Sequence, residues 1–176
     1  MTKRLEYVTF NTALGWVGII GSGNGLRRVT LPQPSEGEAR RRLGEKAAAA
    51  DWSPQRFGDL VGRLQAYFSG SPADFPDRLD PVGATPFQRE VWRITRLIPG
   101  GETRSYRWVA EQLGKPGGAR GVGQALGQNP LPIIIPCHRV VKSDGTLGGF
   151  GGGLEMKRRL LNLESLVVAG KRRSAS

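Results

Sequence analysis

Residues 85–127 read TPFQREVWRITRLIPGGETRSYRWVAEQLGKPGGARGVGQALG, and they decide the fold of the second half of the chain. Thr85 can cap a helix, Pro86 suits its first position, and Gln88 can complete a capping box. Ser105 can cap a second helix, and a third, Gly-rich helix ends the stretch. We expect these three short helices with tight turns to form a helix-turn-helix.

An apolar run follows this stretch of sequence. The residues after that run predict a Gly-rich loop at 145–153 and a last helix from Leu154 to about Leu163. A helix-turn-helix that is followed by a loop and a further element fits a winged variant. We therefore expect a winged helix-turn-helix domain over residues 84–166 and a disordered basic tail over residues 167–176.

The first half of the chain predicts strands followed by helices. Residues 7–31 contain apolar, β-branched and aromatic runs separated by turn residues, which is typical of a β-meander. Residues 35–50 are polar and Ala-rich and predict a surface helix, and a second helix starts at Ser53-Pro54. Residues 70–83 predict a linker. The whole pattern indicates a mixed α/β (α+β) fold, with a first domain over residues 1–80.

Basic residues are concentrated in the second half. The net charge of the chain is +11; residues 1–83 carry 11 Lys/Arg and 9 Asp/Glu, whereas residues 84–176 carry 15 and 6. A basic segment that contains a helix-turn-helix favours nucleic acid as the partner, because Lys and Arg release counterions from phosphates. A basic surface that serves only solubility is the alternative that charge alone leaves open.

Composition excludes several other classes of protein. No stretch has the apolar length of a membrane span, and the N-terminal residues MTKRLEYVTF lack a long apolar run, so we expect no signal peptide. One cysteine cannot form an internal disulfide, and it favours a reducing compartment. One cysteine and one histidine offer no set of zinc ligands, and we expect neither a metal nor a cofactor.

Residues 129–141 carry the candidate chemistry. They read NPLPIIIPCHRVV and place the only cysteine, Cys137, directly before the only histidine, His138. Three isoleucines between prolines predict a stiff, buried, extended stretch that holds both side chains in a defined place. The thiolate is the reactive form of cysteine, so a base or a positive partner must favour it.

Adjacency in sequence does not place sulfur on imidazole. Neighbouring side chains of an extended segment point to opposite sides, which disfavours a direct bond of the protease type. A relay through water and a bend at this point both remain open, and Glu164 is the carboxylate that we expect to orient His138. From residue types alone, a small core cysteine and a surface or satisfied core histidine are the commoner case. The rigid Pro-Cys-His context and the basic helical setting make the catalytic interpretation equally open.

The motif IPCHRVV resembles the active-site motif of the O6-alkylguanine-DNA alkyltransferases, also called methylated-DNA–protein-cysteine methyltransferases. The similarity covers residues 84–165 in three blocks: TPFQREVWRITRLIPGGETRSY, ARGVGQALGQNPLPIIIPCHRVV and LLNLE. It implies a ribonuclease H-like first domain and a winged helix-turn-helix DNA-binding domain. It also implies direct-reversal repair, in which an alkyl group moves once from O6 of a flipped guanine to the cysteine, with O4 of thymine left open.

The resemblance implies a role for each catalytic position. Cys137 would accept the alkyl group, His138 would activate it through a water, and Glu164 would hold the imidazole. Asn129 would shape the active-site turn, and Tyr106 would donate a proton or a hydrogen bond to the leaving guanine. The thioether product has no good leaving group, so we expect one reaction per molecule.

The resemblance also implies which residues meet the DNA. Arg120 would enter the duplex in place of the flipped base, the carbonyls of Cys137 and Val140 would read the guanine amine, and residues 148–153 would close over the base. Gly151 stands where many relatives carry a serine. The other residues expected at the DNA or the base are Ser105, Ala119, Gly123, Leu126 and Gly152.

Three rival functions fit the sequence less well. A protein that binds alkylated DNA without repairing it would lack the cysteine. A regulatory helix-turn-helix protein would read base edges in the major groove, for which a Gly-rich helix has few side chains. The adjacency of Cys137 and His138 disfavours a cysteine hydrolase.

The expected partner is double-stranded DNA that contains alkylated guanine. We expect a monomer without a membrane partner, leave cooperative binding along DNA open, and expect the cytoplasm as the location, or the nucleus of a eukaryotic cell.

Overall fold

The computed structural model describes the backbone of residues 4–174 and the side chains of residues 4–170. The chain divides into two compact units, Met1–Val82 and Gly83–Ser176. Both helices and sheets are present, which confirms the mixed α/β class. The assignment of named domains to these units stays a prediction.

The first unit is built on the predicted β-meander. Its elements, in chain order, are strands β1 (Glu6–Thr12), β2 (Gly15–Ser22) and β3 (Gly25–Val29), helix α1 (Glu36–Arg42), a 3₁₀ turn (Glu45–Ala49), strand β4 (Asp51–Trp52) and helix α2 (Gly58–Phe68). The first three strands pair in antiparallel fashion. The two-residue strand β4, which the sequence did not predict, adds in parallel to β1, so the sheet order is β3-β2-β1-β4.

The predicted surface helix over residues 35–50 is wrong in its extent. Ser35 caps α1 through a hydrogen bond from the backbone N–H of Glu38, but the helix ends at Arg42. Gly44 then takes a φ of +93°, a left-handed value that an α-helix cannot include. Ala39 and Ala47 are buried, so this segment covers the sheet with its small residues.

Helix α2 and the segment after it also differ from the prediction. Helix α2 begins at Gly58 and not at Ser53-Pro54, although it ends before Gly70 as expected. The predicted linker over residues 70–83 is pinned to β3 by two backbone hydrogen bonds. The N–H of Leu26 donates to the carbonyl of Arg78, and the N–H of Asp80 donates to the carbonyl of Leu26.

The second unit contains the three predicted short helices. Its elements are helix α3 (Pro86–Thr95), strand β5 (Arg104–Ser105), helix α4 (Tyr106–Gln112), helix α5 (Ala119–Gly127), a 3₁₀ turn (Cys137–Arg139), strand β6 (Val140–Val141) and helix α6 (Leu154–Ser174). The capping box of Thr85 and Gln88 is formed, with Pro86 at the start of α3. The Ser105 hydroxyl caps α4 by accepting from the N–H of Trp108 at 2.9 Å. Both predicted caps are confirmed.

Helices α3, α4 and α5 contact one another around an apolar core. Helix α5 forms despite its glycines because Val122, Ala125 and Leu126 lie on one buried face. The indole N–H of Trp92 on α3 donates to the carbonyl of Ala125 at 2.9 Å, which joins the two helices inside the core. The winged variant and the ribonuclease H-like likeness of the first unit stay predictions.

Helix α6 is longer than predicted. It runs from Leu154 to Ser174 instead of ending near Leu163, so residues 167–174 of the expected disordered tail are helical. Residues 175 and 176 of that tail lie outside the described residues. In the described part of the chain, no helix has both the length and the apolar character that a membrane crossing requires.

Candidate active site

The segment before Cys137 is buried as expected, but it is a turn and not an extended stretch. Ile133 has a φ of +74°, which is rare for a β-branched residue. The N–H of Ile135 donates to the carbonyl of Leu131 at 2.8 Å, which closes the turn. Leu131 and the isoleucines at 133, 134 and 135 are all buried. Apolar burial therefore holds a strained backbone in place here.

A second, tighter turn follows at Pro136. Its φ of −79° and ψ of 64° match an inverse γ-turn, and the N–H of Cys137 donates to the carbonyl of Ile135 at 2.7 Å. The 3₁₀ turn from Cys137 to Arg139 continues the bend directly. The backbone therefore adopts the bend that the sequence left open, and this bend is compatible with a relay through water.

The Asn129 side chain ties these turns to the cysteine. Its Nδ2 donates to Sγ of Cys137 at 3.2 Å and to the carbonyl of Ile135 at 3.0 Å. Its Oδ1 accepts from the N–H of Leu131 at 2.8 Å. The amide thus fixes the turn with its oxygen and presents a hydrogen-bond donor to the sulfur with its nitrogen.

Behind the cysteine, His138 and Glu164 form a buried pair. Nε2 of His138 lies 2.7 Å from Oε2 and 3.1 Å from Oε1 of Glu164. Burial lowers the pKa of His138, and this effect outweighs the opposing influence of the carboxylate. The imidazole is therefore neutral at rest and able to accept a proton.

Arg139 shares the same carboxylate. Its Nε donates to Oε1 of Glu164 at 2.5 Å, and its Nη1 donates to the carbonyl of Ile98 at 2.7 Å. Burial raises the pKa of Glu164, but the hydrogen bonds and charges of His138 and Arg139 together hold it below its ordinary value. Glu164 is consequently an anion held between two partners.

Cys137 lies on the wall of a cavity of about 840 Å³, and its side chain is almost fully buried. Burial raises the pKa of the thiol, while the Asn129 donor and the positive charge of Lys157 act against that rise. The cavity is lined by Tyr106, Arg107, Ala119, Arg120, Gly123, Leu126, Gly127, Cys137, Lys142, Ser143, Gly148, Gly149, Phe150 and Gly151. The sulfur therefore faces a space that can admit a ligand.

The structure brings most of the predicted site residues to this cavity. Those that line it are Tyr106, Ala119, Arg120, Gly123, Leu126, Cys137 and Gly151. Asn129 contacts the Cys137 sulfur directly, whereas the contacts described for the His138 ring are with Glu164.

Three predicted residues lie elsewhere. Ser105 acts as the cap of α4, the carbonyl of Val140 accepts from Lys157, and Gly152 is exposed on the loop before α6. The carbonyl of Val140 has a second lone pair, so the contact with Lys157 does not by itself prevent it from reading a base.

Sequence reasoning missed Lys157 and Arg139. Lys157 is fully buried, and its Nζ contacts backbone carbonyls of the cavity loop. A sign of this was available, because Lys157 and Glu164 are seven residues apart and therefore share one face of a helix. Arg139 was quoted as part of the motif, but its bond to Glu164 depends on a helix that is distant in sequence.

Comparisons with known proteins show which family the chain resembles. The family model described as "6-O-methylguanine DNA methyltransferase, DNA binding domain" matches residues 86–166. A methylated-DNA–protein-cysteine methyltransferase of Mycolicibacterium paratuberculosis is 41% identical over 91% of this chain and 92% of its own length. One from Methanosarcina barkeri is 39% identical over 91% of this chain and 97% of its own length.

Solved structures give the same result. The crystal structure of Mycobacterium tuberculosis O6-methylguanine methyltransferase superposes with a TM-score of 0.76 at 40% identity, covering 92% of this chain and 93% of that one. A structure of Mycobacterium tuberculosis OGT in complex with DNA gives the same TM-score at 42% identity, covering 91% and 92% of the two chains. The chain therefore belongs to the family of methylated-DNA–protein-cysteine methyltransferases.

Proposed function

We propose that this protein repairs alkylated DNA by direct reversal and transfers the alkyl group from O6 of guanine to Cys137. The observation that carries this proposal is the position of the sulfur, which lies on a cavity wall and accepts a hydrogen bond from Asn129. Membership of the family, and a relative whose structure was determined with DNA, support double-stranded DNA as the partner. O4 of thymine is a second possible alkyl donor for the same chemistry.

Activation of the thiol begins with removal of its proton. We assign a neutral His138 as the base of this step, acting through a water. Glu164 already engages Nε2, so Nδ1 is the ring nitrogen that we assign to accept the thiol proton. The carboxylate then stabilises the imidazolium that forms, as a buried anion beside a new cation. The donor from Asn129 stabilises the thiolate itself.

Transfer forms a bond between Sγ and the alkyl carbon and breaks the bond between that carbon and O6. The electron pair of the broken bond passes to the guanine. We assign the Tyr106 hydroxyl on the cavity wall to donate a proton or a hydrogen bond to this leaving guanine. The product on Cys137 is a thioether, which no further group in this mechanism reverses. Each molecule therefore reacts once.

The target base has to leave the duplex to reach this sulfur. O6 lies within the stacked helix, whereas Cys137 is buried at the wall of a cavity, so the guanine must be extruded into that space. Arg120 is exposed at the same cavity, and we assign it to the gap that the base leaves. Ser105, Ala119 and Gly123 are assigned to the neighbouring DNA backbone, and Leu126, Val140, Gly151 and Gly152 to the base.

Mass spectrometry after reaction with DNA tests this function. A duplex that contains O6-methylguanine should add one methyl group to the peptide of Cys137, in proportion to the guanine repaired. Cys137→Ser should bind the same duplex and gain no mass. Repair with an unmodified Cys137 peptide would exclude the mechanism, and loss of DNA binding in Cys137→Ser would indicate a structural cysteine.

The domain roles and the setting complete the proposal. The second unit contains every residue assigned to the reaction, so we assign residues 84–166 to DNA binding and transfer. We propose that the free protein is a monomer that acts where genomic DNA lies, in the cytoplasm or in a nucleus. Sedimentation with and without DNA would reveal association of the free chain and any cooperative binding along the duplex.

A further inference from the structure

Lys157 is a fully buried lysine to which the proposed transfer assigns no step, although its charge favours the Cys137 thiolate. Its Nζ lies 2.7 Å from the carbonyl oxygen of Val140, 2.5 Å from that of Leu147 and 3.1 Å from that of Gly149. An ammonium group has three N–H donors, so these three acceptors match its capacity. The charged head is thereby satisfied by backbone atoms of β6 and of the loop that lines the cavity.

The same lysine also contacts Tyr106. Nζ lies 3.5 Å from the tyrosine hydroxyl and 5.7 Å from the centre of the ring. The loop approaches this tyrosine closely, since a Cβ added to Gly148 would lie 2.8 Å from the hydroxyl oxygen. The hydroxyl in turn donates to the carbonyl of Gly149 at 3.4 Å. Strand, loop and tyrosine therefore meet at one ammonium group.

We propose that Lys157 is a positioning residue, which fixes residues 147–149 of the cavity loop to β6 and to Tyr106 before the base arrives. The inference rests on the proposed alkyl transfer. Gly148 and Gly149 line the cavity beside Cys137, so the position of this loop determines the space that the base occupies. A wall fixed in advance saves the entropy of ordering it on binding.

The charge state of the lysine agrees with this role. Burial lowers the pKa of Lys157 to about 8, against the opposing influence of Cys137. The group is thus mainly protonated at neutral pH. A neutral amine has one N–H donor fewer, and it could not satisfy the three carbonyls together.

Single-turnover kinetics with an O6-alkylguanine free base test the proposal. Lys157→Gln keeps two N–H donors without the charge, and Lys157→Met keeps the apolar stem without any donor. Arg158→Met is the matched control, because it removes an exposed positive charge from the adjacent position of α6. The rate of Cys137 alkylation is followed by mass spectrometry over a range of base concentrations, which separates half-saturation from the limiting rate.

We expect the half-saturating concentration to rise in the order wild type, Lys157→Gln, Lys157→Met, by about tenfold to a hundredfold for the last. Both variants also remove a charge that favours the Cys137 thiolate, so the limiting rate should fall to a similar extent in the two. Amide hydrogen exchange of residues 147–149 should accelerate in the same order as the half-saturating concentration. Arg158→Met should match the wild type.

Three other outcomes are decisive. A wild type that also fails to react with a duplex containing O6-methylguanine would overturn the proposed function itself. An active Lys157→Met with unchanged half-saturation would overturn the role of Lys157 alone. If both Lys157 variants failed to fold while Arg158→Met folded, the ammonium would hold the fold as a whole, and the positioning role would be rejected.

Discussion

Nε2 of His138 lies 2.7 Å from Oε2 of Glu164, and both side chains are buried. Arg139 donates to the other carboxylate oxygen, so the Glu164 carboxylate binds both the imidazole of His138 and the guanidinium of Arg139. The carboxylate thus joins helix α6 to the turn that carries Cys137.

Glu164→Gln should destabilise the protein at neutral pH by about 3 kcal/mol, because it removes the anion from a buried pair and leaves Arg139 uncompensated. The pKa of Glu164 is lowered in the folded state, so its contribution is present above the ordinary glutamate range and is lost as the pH falls through the lowered value. Urea unfolding at several pH values should show the two proteins converging in acid. A gap of constant size from neutral to strongly acidic pH would contradict this assignment.

Asn129→Asp should raise the pKa of Cys137 and slow its alkylation at neutral pH by roughly tenfold to a hundredfold. The variant keeps the oxygen that accepts from Leu131 but removes the donor to sulfur, and a hydrogen bond to a charged group contributes about 1.5–3 kcal/mol. The pH dependence of iodoacetamide labelling reports the thiol, since the chain has one cysteine. Gln128→Glu, the same change at the exposed neighbour, should leave the labelling profile in place.

Arg120→Ala should slow repair of duplex DNA by at least about tenfold, whereas its reaction with a free O6-alkylguanine base should stay close to that of the wild type. The exposed guanidinium at the cavity is needed only when a base has to be replaced in a duplex. Rates of Cys137 modification with both substrates measure this ratio. Arg159→Ala removes another exposed charge and controls for attraction to phosphates; an identical ratio in both variants would reduce Arg120 to an ordinary phosphate contact.

Gly148→Ala should impair transfer far more than Gly145→Ala. Both glycines have a positive φ, of 72° and 85°, so both substitutions introduce a similar backbone strain. An added Cβ would clash with the Tyr106 hydroxyl at position 148, whereas it would meet nothing within 4 Å at position 145. Thermal unfolding measures how much each substitution destabilises the fold. At a temperature at which both variants are folded, their alkylation rates should differ by about tenfold or more. Equal rates would show that the loop can move away from Tyr106 without cost.

Much of the site was predictable because the relevant information is local or is carried by a motif. The capping box of Thr85 and the cap by Ser105 follow from side chains that bond three residues ahead, and both are formed. The grouping of Cys137, His138 and Glu164 followed from the resemblance, and the structure brings the last two into contact.

The remainder depends on contacts that no short window of sequence contains. Ile133 adopts a left-handed backbone that isoleucine avoids by itself, because burial of its neighbours compensates for the strain. The seven-residue spacing to Glu164 indicated which face of α6 carries Lys157, but it did not indicate that carbonyls of β6 and of the cavity loop accept from its ammonium group. The end of α6 was placed too early, since Leu166, Val167 and Val168 carry the apolar residues past Leu163 and the helix continues to Ser174.

Helix α6 carries Lys157 and Glu164 seven residues apart, and both side chains are buried. Two helical turns separate the two residues by about 10 Å along the axis of α6, so a shift of the helix along its axis moves both of them. A displacement of α6 would therefore move both the cavity loop that Lys157 holds and the carboxylate that engages His138. Substitution of Lys157 should weaken capture of the base and also disfavour the Cys137 thiolate, whereas substitution of Glu164 should act mainly on activation of the sulfur. An insertion or deletion between the two positions should disable both functions together.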